Sequence, residues 1–478
     1  MKKEKRKRKG FGRFAALVLA LSVFLECPIS AGAAAKIISD EDERRALPIV
    51  SNETEGWPQG PVVSAQSAVV MEASTGTVLY EKNAHDPLYP ASITKIMTTL
   101  VALEHSSMDE TVTFSYDSVF SLDTGSSIIG GVNPGDTMSM KDVLYGIMIC
   151  SGNEAAYAAA EHVAGTVSDF VDMMNARAEE IGCTDTNFCN PHGLPNENHV
   201  TSAMDMALIT GTALNNASFK TIATTRRYTF PPTSSGEERI RLNHHLMMEG
   251  MEYVYEGCLG GKTGYTSAAG STLVTFAERD GMLLICVVMN EKAPAQYLDT
   301  ATLLDYGFAN FRKVDMSGYG QNGSSEEDGF FLARVNSDAA DGGLSVKQTG
   351  SAVLPVSAST DDIRGEVSRE LEDGTITSVF YFRDVRVGSS VMQIQAKEDG
   401  RSSGRLFGTP QEQEETVYDI FHPEDVNYIY LNLKVIASVA AVVGIVIGLI
   451  CLYRKTGNRR RRRRKPLVVE HRNIRRRY

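Results

Sequence analysis

Ser92 and Lys95 stand three residues apart, where an extended segment that ends at Pro90 gives way to the apolar run Ile96–Leu103. If a helix begins near Ser92, the two side chains share one face, and the serine lies at an N-terminus that favours negative charge. Serine is a weak nucleophile that needs a neighbouring base, and lysine is a base only when burial or a second cation keeps it neutral. An ordinary surface pair is the alternative, because Ser-x-x-Lys occurs by chance about once or twice in such a chain.

Two further short patterns follow in order. Ser151-Gly152-Asn153 stands between two helical stretches, and its glycine exposes the backbone between two polar side chains. Lys262-Thr263-Gly264 precedes two strand-like runs. Each pattern alone is weak evidence, since Lys-Thr-Gly occurs by chance roughly once in several chains of this length. Their order within one exported region is the specific signal.

Together the three patterns resemble the active-site set of penicillin-recognising serine enzymes. Other stretches are similar to the serine-type D-Ala-D-Ala carboxypeptidases, the low-molecular-mass penicillin-binding proteins that trim cell-wall peptides. These stretches are Ser67–Ala73, Asn190–Leu194, Gly261–Thr266 and Leu304–Phe308. The resemblance covers roughly residues 64–312 and does not clearly extend to residues 329–411.

The resemblance implies a catalytic role for each polar residue of the first two patterns. Ser92 would be the acyl-accepting nucleophile, and Lys95 its general base. Ser151 would relay a proton towards the leaving amine, and Asn153 would form a hydrogen bond with the substrate amide. The arrangement is a serine–lysine variant of triad chemistry, so it implies neither a metal nor a cofactor.

The third pattern would bind the substrate. Lys262 would keep the base lysine neutral and attract the substrate carboxylate, which Thr263 would also hold by a hydrogen bond. Gly264 would let the substrate backbone lie along the strand edge. The backbone N–H groups of Ser92 and Tyr265 would form the oxyanion hole. All of these roles are carried over from the resemblance.

The sequence departs from the family at the substrate carboxylate. Members often carry an arginine upstream of the run that matches Leu304–Phe308, whereas the stretch Glu291–Tyr297 offers only Lys292. Either Lys262 and Thr263 suffice, or recognition of the carboxylate is weakened.

The histidines of this region are interpreted as structural. His192 is expected to be a turn residue that supports the site rather than a catalytic group. His244 and His245 are expected to be structural or surface residues.

The resemblance implies an α+β fold of the penicillin-binding and β-lactamase type. Its antiparallel sheet has five strands, two from the N-terminal end and three from residues 260–290. Helices pack on both faces, and a helical lobe is inserted between the strand groups. The pattern predicts a closing helix at Thr300–Phe311 and capped helix starts at Ser139 and Ser202. Short β-like runs at Phe330–Val335, Ser378–Phe382 and Ser390–Ala396 predict a small β-rich domain beyond it.

Charge and hydropathy predict an exported, anchored chain. A basic N-terminus precedes the short apolar core Phe14–Leu25, which is typical of a signal peptide. The uncharged run Val435–Tyr453 is long enough to span a membrane, and the arginine block Arg459–Arg464 behind it predicts a cytoplasmic tail. The net charge of the whole chain is −11, so the basic residues at its two ends stand out. Export and membrane signals explain these basic ends better than nucleic-acid binding does.

The predicted organisation has eight parts: a signal peptide 1–35, a linker 36–63, a catalytic domain 64–315, a linker 316–328, a β-rich domain 329–411, a juxtamembrane segment 412–434, a transmembrane helix 435–453 and a basic tail 454–478. The expected location is the bacterial cell membrane, with the catalytic domain outside.

The expected partners are peptidoglycan stem peptides, with β-lactams as inhibitors and the membrane as anchor. Three alternatives remain open: a β-lactamase, an endopeptidase that cleaves cross-links, and a non-catalytic penicillin-binding sensor or wall-binding module. The complete set of polar site residues argues against the non-catalytic alternative.

Overall fold

A five-stranded antiparallel sheet is the centre of the fold. The computed structural model describes residues 35–122, 125–317, 344–367 and 375–396. The strands of its first part are β1 Ser67–Glu72, β2 Val78–Lys82, β3 Thr111–Thr113, β4 Thr137–Ser139, β5 Arg227–Phe230, β6 Arg239–Leu242, β7 Cys258–Thr266, β8 Gly270–Arg279 and β9 Met282–Glu291. The central sheet has the order β2-β1-β9-β8-β7, and all its neighbours are antiparallel. The predicted sheet, with two N-terminal strands and three later ones, is confirmed.

Helices cover both faces of this sheet. They are α1 Glu41–Arg45, α2 Lys95–His105, α3 Tyr116–Phe120, α4 Met140–Ile149, α5 Asn153–Ala164, α6 Val167–Ile181, α7 Ala203–Leu214, α8 Ala217–Ala223 and α9 Ala295–Asn310. The helices from α2 to α8 form the lobe inserted between β2 and β7, and α9 follows the last strand. Both α7 and α9 contact β1 and β9.

The alternation of side chains along β1 explains why one strand supports two cores. Val69 and Met71 belong to the apolar cluster shared with the helical lobe, whereas Val70 belongs to the cluster shared with α9. Successive residues of a strand point to opposite faces. A strand covered on both faces therefore reads as one continuous apolar run.

Two helices of the lobe begin at the predicted serines. Ser139 Oγ accepts a hydrogen bond from the backbone N–H of Asp142 at the start of α4. Ser202 Oγ accepts one from Asp205 in the same way at the start of α7. These bonds satisfy backbone donors that have no partner within the helix, and both predicted helix starts are confirmed.

A second antiparallel sheet follows the helical lobe and α9. Its strands are β10 Phe311–Asp315, β11 Leu344–Pro355, β12 Ile363–Val367, β13 Thr375–Phe382 and β14 Val385–Ala396, in the order β10-β11-β14-β13-β12. The predicted runs Ser378–Phe382 and Ser390–Ala396 lie within β13 and β14. The run Phe330–Val335 lies outside the described residues, and β11 and β12 were not predicted.

The junction between the two sheets differs from the sequence prediction. The closing helix runs over Ala295–Asn310, so the predicted range Thr300–Phe311 is wrong at both ends: it starts too late and runs into the next strand. Phe311 instead begins β10, inside the range assigned to the first domain. Its ring centroid lies 4.9 Å from that of Trp57 and 5.6 Å from that of Tyr306. A local sequence pattern cannot predict such packing, because the contact is with a distant segment of the chain.

The membrane predictions concern other parts of the chain. Within the described ranges, no helix is both long and apolar enough to cross a bilayer. The apolar core Phe14–Leu25 and the run Val435–Tyr453 lie outside those ranges.

Candidate active site

Ser92 and Lys95 meet at the start of the helix that the sequence predicts. Ala91–Thr94 forms one turn of 3₁₀-helix, and α2 continues from Lys95. The Nζ atom of Lys95 lies 3.0 Å from Ser92 Oγ, because side chains three residues apart share a helix face. Ser92 is partly exposed, whereas Lys95 is fully buried. A substrate can therefore reach the serine, while the amine behind it is shielded from water.

The surroundings of Lys95 favour its neutral form. Burial holds the pKa of Lys95 well below its ordinary value, and the nearby Lys262 lowers it further, against a smaller opposite effect of Glu154. Burial disfavours a charged group, and a like charge close by does the same. The pKa of Lys262, which is also buried, falls to about 7. Burial therefore lowers the pKa of both lysines, and each lies on an element that borders Ser92.

Three oxygen atoms surround the amine of Lys95. Besides Ser92 Oγ, Nζ lies 2.6 Å from Asn153 Oδ1 and 2.5 Å from the carbonyl oxygen of His192. A neutral amine has two hydrogens and one lone pair. Since the amide and carbonyl oxygens can only accept, they take both hydrogens, and the lone pair is left for the hydroxyl of Ser92. The contacts therefore orient the amine as a base towards the serine.

Ser151 and Asn153 lie on a tight turn before α5, which begins at Asn153. Ser151 has a φ of 56°, a left-handed conformation that is uncommon for residues other than glycine. Among the described residues, its buried Oγ has no hydrogen-bond partner. Asn153 on the same turn contacts Lys95, so the turn lies next to the Ser92–Lys95 pair, and backbone strain of this kind clusters at functional sites.

Strand β7 forms the opposite wall. Lys262 Nζ donates a hydrogen bond of 2.7 Å to the carbonyl oxygen of Thr263. Thr263 is partly exposed, and Tyr265 is 71% exposed. A Cβ atom on Gly264 would lie 2.9 Å from the backbone nitrogen of Ser92, a distance that real Cβ contacts do not show. The glycine is therefore needed for the close approach of β7 to the serine, a reason that the sequence analysis did not give.

Glu154 is a site residue that the sequence analysis missed. Its Oε1 accepts hydrogen bonds from the backbone N–H groups of Ile129, at 2.5 Å, and Gly130, at 3.4 Å. The carbonyl oxygens of the same two residues accept from Arg241 and Arg239. The loop over the Ser151–Asn153 turn is thus held between a carboxylate and two guanidinium groups. The sequence signal that could have identified Glu154 is its position as an acidic residue in the first turn of a helix.

Two of the three histidines singled out in the sequence, His192 and His245, are buried. His192 contributes its backbone carbonyl to Lys95, and burial lowers the pKa of its ring to about 3. His245 is fully buried behind β7, with Nε2 2.9 Å from Thr275 Oγ1. His244 is exposed. The structural interpretation of all three agrees with these positions.

Lys292, the cation noted in place of an arginine, is an exposed residue directly after β9. Lys262 is buried on the strand that faces Ser92. Of the two cations considered for the substrate carboxylate, the geometry favours Lys262.

Comparison with known proteins agrees with this geometry. A family model described as D-alanyl-D-alanine carboxypeptidase matches residues 54–293, a range that contains every predicted site residue. The D-alanyl-D-alanine carboxypeptidase DacF of Bacillus subtilis is 36% identical over 252 residues, 52% of this chain and 63% of that protein. DacB2 of Mycobacterium tuberculosis is 34% identical over 259 residues, 53% of this chain and 84% of that protein.

A solved structure extends the likeness to the second sheet. The crystal structure of penicillin-binding protein 6B from Escherichia coli is 27% identical, with a TM-score of 0.54, and the match covers 72% of this chain and 98% of that protein. The 72% of this chain that the match covers is more than residues 54–293 account for. The likeness therefore reaches into the β-rich region, which the motifs alone did not show.

Proposed function

Because this chain belongs to the D-alanyl-D-alanine carboxypeptidase family of serine-type peptidases, we propose that it removes the terminal D-Ala from peptidoglycan pentapeptides through an acyl-enzyme on Ser92. The observation that carries the proposal is the buried amine of Lys95, 3.0 Å from Ser92 Oγ with its hydrogens taken by two other oxygens. The match covers 63% of DacF, so the activity of the whole chain is part of the proposal.

Acylation begins when Ser92 Oγ attacks the carbonyl carbon of the last peptide bond. Its proton passes to the lone pair of Lys95 as the new C–O bond forms. The negative charge that develops on the carbonyl oxygen is stabilised by the backbone N–H groups of Ser92 and Tyr265. The C–N bond then breaks as Ser151 passes its hydroxyl proton to the leaving nitrogen and takes the proton held by Lys95 in exchange, so that free D-Ala departs and Lys95 is neutral again.

Substrate binding orients the peptide for this attack. Lys262, charged in the complex, attracts the terminal carboxylate, and the hydroxyl of Thr263 donates a hydrogen bond to it. The Nδ2 group of Asn153 is free to donate to the substrate amide, since its Oδ1 accepts from Lys95. Water then attacks the acyl ester while Lys95 takes its proton. The bond between the acyl carbon and Ser92 Oγ breaks, and Lys95 returns the proton to that oxygen, which releases the shortened peptide and restores Ser92.

The test is to incubate the full chain, purified in detergent, with a pentapeptide that ends in D-Ala-D-Ala. We expect one D-Ala per peptide, measured by mass spectrometry, and no release from a matched peptide that ends in D-Ala-L-Ala. An intact pentapeptide together with labelling by penicillin would favour the non-catalytic binder instead. Cleavage of cross-linked dimers alone would favour an endopeptidase.

We also propose that residues 1–35 direct export and that residues 435–453 anchor the chain, with residues 36–434 outside and residues 454–478 in the cytoplasm. The support is the apolar length of the spanning run and the arginine block behind it. Protease added to intact cells with a permeable outer surface should degrade the catalytic domain but spare an epitope at the C-terminus. Degradation of the catalytic domain only after lysis would overturn this orientation.

A further inference from the structure

The peptide group between Ala91 and Ser92 is held in an unusual conformation. Ala91 has a φ of 50° and is buried, which is a strained position for a residue with a Cβ atom. The carbonyl of Ala91 and the N–H of Ser92 belong to the same planar unit. Whatever fixes the direction of this carbonyl therefore fixes the direction of the N–H group that the proposed function assigns to the oxyanion hole.

A chain of hydrogen bonds leads from this carbonyl to His199. Thr94 Oγ1 donates to the carbonyl oxygen of Ala91 at 2.8 Å, and Thr94 Oγ1 lies 2.9 Å from His199 Nε2. On the other side of the ring, the backbone N–H of Cys189 donates to His199 Nδ1 at 2.8 Å. Thr94 and His199 are both almost completely buried, so water does not compete for these bonds.

The direction of every bond in this chain is determined. A backbone N–H can only donate, so Nδ1 of His199 is the acceptor and carries no hydrogen. The hydrogen of the neutral ring is then on Nε2, which donates to Thr94 Oγ1. The hydroxyl hydrogen of Thr94 remains for Ala91. Burial lowers the pKa of His199 to about 3, which is consistent with a neutral ring.

A second threonine holds the preceding carbonyl. Thr272 Oγ1 on β8 donates to the carbonyl oxygen of Pro90 at 2.8 Å. Thr272 lies opposite Gly264 in the sheet, so this bond joins the serine turn to β8, next to the strand that faces it. Ser92 lies in the first turn of its 3₁₀-helix, where a backbone N–H has no partner within the helix. Both carbonyls before Ser92 are thus fixed, while its N–H is left for a ligand.

We propose that His199 is a positioning residue for acylation. Through Thr94 it orients and polarises the Ala91–Ser92 peptide, and so aims the Ser92 N–H at the oxyanion. Hydrogen bonds in a chain strengthen one another. When the carbonyl of Ala91 accepts a hydrogen bond from Thr94, the N–H of Ser92 in the same peptide group therefore becomes a better donor. His199 does not touch the substrate in this assignment. The inference rests on the proposed function, because that function assigns the oxyanion to this N–H group.

Two amide substitutions separate the two nitrogens of the ring. The amide of His199→Gln reaches the position of Nε2 and can still donate to Thr94. The shorter amide of His199→Asn reaches only the position of Nδ1, so it can accept from Cys189 but leaves Thr94 without a donor. Because loss of a whole oxyanion donor costs about 10²–10³-fold in rate, we expect His199→Asn to lower the acylation rate by about 10- to 100-fold. We expect His199→Gln to remain within a few-fold of the wild type.

The measurement uses the full chain in detergent, with acylation by penicillin and D-Ala release followed in parallel. A peptide boronic acid that ends in an analogue of D-Ala supplies a second readout, since its tetrahedral adduct on Ser92 places an oxygen in the oxyanion hole. We expect the affinity for this boronic acid to fall in His199→Asn by about the same factor as kcat/KM, and to be retained in His199→Gln. A purely structural role would lower the Tm of both variants without this correlation.

Thr94→Val removes the next bond of the same chain. We expect it to match His199→Asn, and we expect the double variant to be no slower than either single variant, because residues of one chain are not additive. Wild-type rates in His199→Asn, or equal losses in the Asn and Gln variants, would overturn the inference while the proposed function stands. A wild-type chain that neither releases D-Ala nor is acylated would overturn the proposed function and this inference with it.

A measurement on the unsubstituted chain tests the inference even if the variants fail to fold. Nitrogen NMR of histidine-labelled protein should show His199 protonated at Nε2 alone, without titration between pH 5 and pH 8. A ring protonated at Nδ1, or one that titrates in this range, would overturn the inference.

Discussion

Lys95→Ala is expected to lose as much D-Ala release as Ser92→Ala, on the order of 10⁴-fold or more, since a nucleophile and its base act as one unit. The serine variant lacks the attacking oxygen. The lysine variant keeps it but lacks a group that can take its proton, because the other two oxygens around Nζ belong to an amide and a carbonyl. The measurement is the single-turnover rate of acylation of the full chain, with the Ser92→Ala and Lys95→Ala double variant beside the singles.

Lys82→Ala is a matched control for the loss of a buried lysine. Lys82 is as inaccessible as Lys95, donates to the carbonyl oxygens of Val63 and Ala65, and has a pKa lowered to about 8, chiefly by burial. Its removal leaves two buried acceptors unsatisfied, so it should lower the free energy of unfolding by about 1–3 kcal/mol for each. The acylation rate per folded molecule should stay near that of the wild type. Equal rate losses in Lys82→Ala and Lys95→Ala would show that the Lys95 effect is structural.

The pH dependence gives the same assignment a second readout. Lys95 must be neutral to accept a proton, so acylation should be lost as the pH falls through its pKa, which lies well below the ordinary value. Lys262 must be protonated to attract a carboxylate, so activity should be lost as the pH rises through its pKa, about 7 in the free chain. Lys262→Arg keeps its charge at all these pH values, and the alkaline loss in kcat/KM should move to higher pH. An unchanged alkaline limb would contradict the role of Lys262.

Local patterns in the sequence were sufficient to predict that Ser92 and Lys95 meet at the candidate site. Ser92 and Lys95 are three residues apart on one helix, so their contact follows from helix geometry alone. The central sheet could also be predicted, because β1 and β9 are buried on both faces and read as apolar runs. Both features can be predicted because each depends on only a few neighbouring residues: the spacing of two polar side chains in one case, and a continuous apolar run in the other.

The support around these groups comes from contacts between distant residues. His199 reaches Thr94 across 105 positions, and Glu154 reaches Ile129 across 25. No local pattern marks a histidine in a turn-rich loop as the donor to a threonine in another segment. The start of β10 at Phe311 was missed for the same reason, because its packing partner Trp57 lies far away in the chain. The sequence thus predicts which groups react, and the fold determines how rigidly they are held.

Penicillin is expected to label Ser92 and to remain attached for minutes or longer. The strained amide of the β-lactam is attacked as the peptide would be: the Ser92 Oγ–C bond forms, the ring C–N bond breaks, and the nitrogen takes a proton. Unlike free D-Ala, the opened ring stays covalently tethered to the acyl group, so it continues to occupy the space that a hydrolytic water needs. Mass spectrometry of the full chain over time after one dose measures the lifetime, and Ser92→Ala should show no adduct.

The persistence follows from the carboxylates that this site offers to a water molecule. A class A β-lactamase holds a glutamate that positions the hydrolytic water, and residues 184–198 contain no Glu-x-x-Leu-Asn pattern that would supply one. Glu197 is exposed on its loop. Glu154 has one oxygen committed to the backbone of Ile129, and burial raises the pKa of its carboxyl group, which favours the protonated form that cannot take a proton from water. Lys95 is then the remaining base, and it must act on a water that the tethered ring obstructs. Recovery of unmodified protein within seconds would contradict this argument and favour a β-lactamase.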